Sequence, residues 1–244
     1  MENVFNFTDE NGNLLSLEDV QEQVKAIYSE IEESMKEPYQ EICGNSVIIN
    51  HLDPAAHFDV QKVLENYAFL DRSLYLTGEI KPEHGLSFVE SIRFWNHIDY
   101  ADKIPPEDRI PIKIYIDTEG GDLNATLSIV AAIKLSKTPV WTIVTGVAES
   151  GGFFVTISGD KRIGYPHSSY MFHEGSCING GDAHKYMQYT DFYRRKLEEL
   201  KQLVIEKTNI DQEKYEQHKK DDWWMTDNDA LYFGVIDDIA TEII

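Results

Sequence analysis

Between residues 73 and 207 the chain switches repeatedly between a two-residue and a helical hydrophobic period. Leu74-Tyr75-Leu76-Thr77-Gly78 reads as a strand, Leu86 to Trp95 as a helix, and Ile112 to Asp117, with its isoleucines on one face, as a second strand. A Gly120-Gly121 turn, a helix from Ala125 to Leu135 and a strand from Val140 to Val144 follow. Short apolar runs at Arg162 to Tyr165 and Tyr170 to His173 then precede a long helix from about Asp182 to Lys207. Strands alternating with helices predict an α/β fold with a mostly parallel sheet over residues 71–244. The segment Asp99 to Arg109, rich in Asp and Pro, reads as an exposed loop.

Residues 1–70 have a different texture. Leu17, Val20, Val24, Ile27, Ile31 and Met35 recur at helical spacing behind Ser16, with Asp19 placed for a capping box and Pro38 as a stop. Val47-Ile48-Ile49 fits a short strand and Val60 to Phe69 a second helix. This part is expected to be a mostly helical N-terminal extension that serves packing or assembly.

Charge narrows the partners. Twenty-two Lys and Arg stand against 43 Asp and Glu, a net charge of −21. Nucleic acid and anionic membrane surfaces both need clustered cations, so neither is expected as a partner. No segment approaches the roughly 20 apolar residues that span a bilayer, and Met1-Glu2-Asn3-Val4 does not open a secretory leader. Cys43 and Cys177 stand far apart, with neither a second Cys nor a close His at metal-ligand spacing. A cytoplasmic protein with no metal and no cofactor is expected. Gly120-Gly121-Asp122 lacks the G-x-G-x-x-G pattern and sets a carboxylate where a pyrophosphate would sit. Glu198-Glu199 and Asp237-Asp238 read as solvated faces.

The candidate chemistry lies at Gly146-Val147-Ala148-Glu149-Ser150-Gly151-Gly152, where a hydroxyl leaves an apolar strand beside unobstructed amides. A serine hydroxyl becomes a useful nucleophile when an oriented imidazole takes its proton. His173, ending an apolar run, and Asp222 supply the other two members in the order Ser, His, Asp. Gly121 and Gly151 are the candidate oxyanion donors, because backbone N–H groups at glycine allow close approach. Each residue also has a plainer reading: Ser150 as a helix N-cap, His173 as a satisfied interior histidine, Asp222 as a cap or a solvated carboxylate. Seven other histidines compete for the role of base.

The segment Leu74 to Ile239 resembles the proteolytic subunit of the Clp protease family of serine peptidases. The resemblance is carried by Tyr75-Leu76-Thr77-Gly78, Ile114-Tyr115-Ile116-Asp117-Thr118-Glu119-Gly120-Gly121-Asp122, the run around Ser150, Gly159-Asp160-Lys161-Arg162, Met171-Phe172-His173, Asp222-Trp223-Trp224-Met225-Thr226 and Tyr232-Phe233-Gly234-Val235-Ile236-Asp237. It implies a crotonase-like α/β spiral, Ser150 as nucleophile, His173 as general base, Asp222 as orienting acid, and Gly121 and Gly151 as oxyanion donors. It also implies a homo-oligomer of heptameric rings stacked as a tetradecamer, polypeptide substrates and a Clp ATPase unfoldase as partner, with the 182–207 helix at the contact between rings.

Glu149, where the family usually carries a small residue, and Glu174-Gly175, where it commonly carries Gln-Pro, depart from the family pattern. So do the N-terminal extension and the 99–109 segment, features that also resemble divergent phage-type relatives active in capsid maturation. The same fold hosts acyl-CoA enzymes and inactive scaffold subunits, which are the competing classes.

Overall fold

The computed structural model describes residues 68–175 and 181–244, all within the unit Asp59–Ile244. The expected helix at 17–35 and strand at 47–49 lie outside the described residues, as do Cys43 and Cys177. Of the 60–69 segment, Ala68 and Phe69 are described and are helical.

Three parallel strands form the slab on which everything else is mounted: β1 (Ser73–Ile80), β2 (Ile112–Gly121) and β3 (Val140–Glu149). Their inward positions, Leu76, Ile112, Ile114, Ile116, Val140 and Val144, are fully buried. Such side chains, β-branched at all but Leu76, suit a sheet covered by helices. The helices α1 (Pro82–Ala101), α2 (Leu123–Leu135) and α3 (Gly151–Ser158) supply that cover, through Phe88, Ile92 and Trp95, Ile129 and Ile133, and Phe153, Val155 and Ile157.

The sheet divides along β3. Residues Trp141 to Val144 pair in parallel with β4 (Lys161–Gly164), whereas Val147 to Glu149 pair in parallel with β5 (Ser169–Phe172). The register of β2 against β3 shifts between Ile116 and Thr118, beside this change of partner. Asp117 fills the bend, accepting a bond from Val147 N at 3.0 Å. A Cβ at Gly146 would lie 2.3 Å from the Asp117 carboxylate, so the glycine is what lets that carboxylate in.

The chain continues through α4 (Ala183–Lys207) and α5 (Gln212–His218) to β6 (Trp223–Thr226), antiparallel to β5. Helix α6 (Asp227–Tyr232) and β7 (Asp238–Ile239), parallel to β4, close the sheet.

Several local expectations change. Gly120 and Gly121 lie inside β2 and not in a turn, because both pair with the end of β1. Asp99 is not in an exposed loop. Helix α1 runs on through it, and its carboxylate is fully buried against Arg72 Nη2 at 2.7 Å and Thr138 Oγ1 at 2.6 Å. Asp237 is not simply solvated, since it accepts from the backbone and guanidinium of Arg162 at 2.8 and 3.1 Å and so ties β7 to β4. Helix α4 divides along its length: Leu200 and Val204 enter the core and Leu197 packs against it, whereas Tyr186 is about half exposed.

Candidate active site

Ser150 is the hinge between β3 and α3, with φ 50° and ψ −110°. A non-glycine residue there is strained and persists only where its surroundings enforce it. Two contacts do so. Ser150 N donates to Met171 O at 2.9 Å, and Gly120 approaches so closely that a Cβ on it would lie 2.8 Å from Ser150 Cβ and 2.9 Å from Gly151 N. With φ at +89°, Gly120 also holds a backbone that side-chain-bearing residues avoid. Ser150 does occupy the N-cap position of α3, yet its hydroxyl makes no capping bond. Instead it lies 2.7 Å from His173 Nε2.

One strand spaces the three side chains. Glu149 pairs with Met171 on one side of β5, and Phe172 pairs with Trp223 on the other. One residue beyond Phe172 is His173, and one residue before Trp223 is Asp222, so antiparallel pairing carries these two onto each other. Their side chains meet at 3.1 Å, His173 Nδ1 to Asp222 Oδ1. The imidazole side chain is 25% exposed and the carboxylate 64%, so the couple sits at the rim of the molecule and not in its core.

The remaining described histidines are occupied elsewhere or lack a bond to Ser150. His84 caps α1, His184 contacts Gln188, and His218 stacks on Trp223 with centroids 4.1 Å apart. His51 and His57 lie outside the described residues.

Ser150, His173, Gly121 and Gly151 line one cleft of about 470 Å³. Gly151 N is the first amide of α3, with no acceptor available inside its own helix, at the electropositive end of the helix. Gly121 lies against β1, where a Cβ would be 2.3 Å from Ile80 O. The far wall comes from α4, through Tyr189, Phe192, Tyr193, Lys196 and Leu200, and Phe154 and Met171 add to the apolar lining. Glu119, Asp122 and Glu174 also line the cleft. Asp122 is committed to capping α2, accepting from Ala125 N at 2.8 Å. Among the described residues no group of three or more His, Cys, Asp and Glu side chains is placed to hold a metal ion, and no helix is long and apolar enough to cross a membrane.

Two features of the site escaped sequence reading. Gly120, more than its neighbour Gly121, abuts the serine junction; its doublet was visible, but which glycine faced Ser150 depended on register. The second is a bond from Tyr215 to Glu174, the residue after His173, at 3.1 Å. No local pattern announces a contact across 41 residues.

A mostly parallel sheet that splits along one strand, flanked by helices and bearing a cleft at the strand-to-helix junction, defines a crotonase-like α/β spiral. The Clp protease family model matches residues 60–243, and the chain belongs to that family. It is 28% identical over 176 residues to the ATP-dependent Clp protease proteolytic subunit of Leuconostoc citreum, covering 70% of this chain and 84% of that one. Similarity to proteolytic subunit 2 of Treponema denticola is 28% over 171 residues, covering 69% and 82%. The Streptococcus thermophilus proteolytic subunit is 30% identical over 179 residues, covering 70% and 85%.

Proposed function

We propose that the chain is a serine endopeptidase acting through an acyl-enzyme. The observation that carries the reading is the continuous hydrogen-bonded line from Ser150 Oγ through His173 to Asp222, at 2.7 and 3.1 Å. Ser150 Oγ attacks the scissile carbonyl carbon while His173 Nε2 takes its proton. Asp222 fixes the tautomer, with Nδ1–H directed at its carboxylate, and stabilises the imidazolium. The carbonyl electrons move onto oxygen, which is met by the backbone N–H groups of Gly121 and Gly151. Collapse breaks the C–N bond, and His173 returns the proton to the departing amine. Water, deprotonated by the same imidazole, then attacks the ester, and the carboxylic acid leaves as Ser150 regains its proton.

The names of the relatives, proteolytic subunits of an ATP-dependent protease, support a polypeptide substrate and an ATPase partner. As subunits by name and members of the same family, the relatives support an oligomeric assembly, and the homo-oligomeric chamber of stacked heptameric rings is the form that the family resemblance implies. ATP would then be consumed by the partner and not by this chain.

The test sets hydrolysis of short fluorogenic peptides against turnover of an enoyl-CoA, for the wild-type chain and Ser150→Ala. The reading predicts peptide hydrolysis that Ser150→Ala abolishes and no enoyl-CoA turnover. Peptidase activity surviving in Ser150→Ala, or CoA chemistry in its place, contradicts it.

A further inference from the structure

His173 and Asp222 come from separate segments, and their meeting depends on a ladder of four residue pairs between β5 and β6. Just outside that ladder lies a second set of ties. Glu174 N donates to Lys219 O at 3.2 Å, and Tyr215 Oη donates to Glu174 Oε1 at 3.1 Å. Lys219 N in turn donates to Tyr215 O at 2.9 Å, closing α5. The segment leaving His173 is thus bound by its backbone and its side chain to the helix that leads into Asp222.

Tyr215 is suited to be a fixed post. It is fully buried, and its ring lies 5.2 Å from that of Phe172, the residue before His173. Burial first, and then the Glu174 carboxylate, push the phenol pKa well above its ordinary value, so the hydroxyl stays protonated and donates. A bond from a neutral donor to a carboxylate is among the stronger and more directional kinds. Farther out, Glu216 pairs with Lys201 at 2.7 Å and Lys219 at 2.6 Å, anchoring α5 to α4.

We propose that Glu174 and Tyr215 form a latch of two positioning residues, which holds the His173–Asp222 couple aligned on Ser150. The proposal rests on the serine-peptidase reading above. The latch acts through the imidazole and not on substrate, so its loss slows chemistry more than it weakens binding.

The experiment uses the full-length assembled protein. It measures kcat and KM on a fluorogenic peptide, the rate of labelling by a fluorophosphonate, and Tm. The variants are Tyr215→Phe, Glu174→Ala, Glu174→Gln and the double variant Tyr215→Phe/Glu174→Ala. Tyr215→Phe removes one hydroxyl and leaves the packed ring in place. The latch predicts that Tyr215→Phe and Glu174→Ala each lower kcat and the labelling rate about tenfold, the scale of one orienting bond, with KM changed less than about twofold. The double variant is expected to be no slower than either single one, because all three remove the same bond. Glu174→Gln keeps an acceptor oxygen and most of the rate.

Wild-type kcat in Tyr215→Phe, additive losses in the double variant, or a Glu174→Gln as slow as Glu174→Ala would overturn the latch. If wild-type protein labels at Ser150 and the variants label equally fast, the latch alone fails. If wild-type protein does not label at all, the peptidase reading fails and the latch with it.

Discussion

The slab β1 to β3 and the corner formed by β5, β6 and α5 hold their parts of the site by different means. Ser150 is set by packing: strands whose inward face is fully buried, a glycine that comes too close to its Cβ to carry a side chain, and a helix starting at the next residue. His173 and Asp222 are set by hydrogen bonds at a partly exposed rim. Close-packed apolar positions tolerate little displacement, whereas a polar rim is only as well ordered as its bonds. Changes in the slab are therefore expected to register as stability, and changes in the corner as rate.

The largest expected effect comes from the corner. His173→Ala should lower kcat by about 10⁵ to 10⁶ and Asp222→Ala by about 10⁴, the scale seen when such trios lose one member. Tm should stay close to wild type in both, since neither side chain is buried in the core. Stopped assays on the assembled particle, with Tm measured in parallel, check this. A large stability loss in either variant would erase the contrast between the two regions.

Next comes the slab's own polar element. Asp99→Ala leaves Arg72 without its buried partner and should cost about 3–5 kcal/mol in urea unfolding. Activity per folded molecule should be unchanged.

The same pair has a pH signature. Burial alone would push the Asp99 carboxyl up, but its bonds to Arg72 and Thr138 outweigh that and hold it below the usual carboxylate range. A depressed folded pKa contributes stability that is complete above the unfolded value, about 3.9, and fades as pH falls through the folded one. Asp99→Asn should therefore flatten the loss of Tm below about pH 4 relative to wild type. An unchanged acid limb would remove Asp99 from this role.

The smallest effect belongs to an exposed ion pair, Arg194 with Asp191 at 3.2 Å, both side chains at least 70% exposed. Arg194→Ala should change stability by less than about 0.5 kcal/mol, because solvent screens the pair. Set beside Asp99→Ala, it shows that burial and not charge decides the cost.

The two regions also differed in how far they could be read from sequence. The slab was legible because its signal is local: alternation in Ile112 to Asp117 and helical spacing in Ala125 to Leu135 each lie within a single element. Its ends were less so. Gly120 and Gly121 look like a turn until β1 is known to pair with them, and Asp99 looks solvated until Arg72, 27 residues away, is seen to meet it.

The corner was hardly legible. Trp223 to Thr226 becomes a strand only through pairing with β5, and the α5 stretch is too short and polar to announce itself. Ser150, His173 and Asp222 could be picked out by residue type and order. His173 led the eight histidines because it ends an apolar run, while the pairing that sets it opposite Asp222 is visible only in the fold.

The proposed chemistry turns on the Ser150 hydroxyl as nucleophile and on His173 as the group that makes it so. The most direct measurement is to treat the assembled protein with a fluorophosphonate and map the adduct by peptide mass spectrometry, in the wild type and in His173→Ala. One adduct per chain is expected, on Ser150, with labelling nearly abolished in His173→Ala. An adduct on another residue, or Ser150 labelled equally fast without the imidazole, would contradict the proposed chemistry.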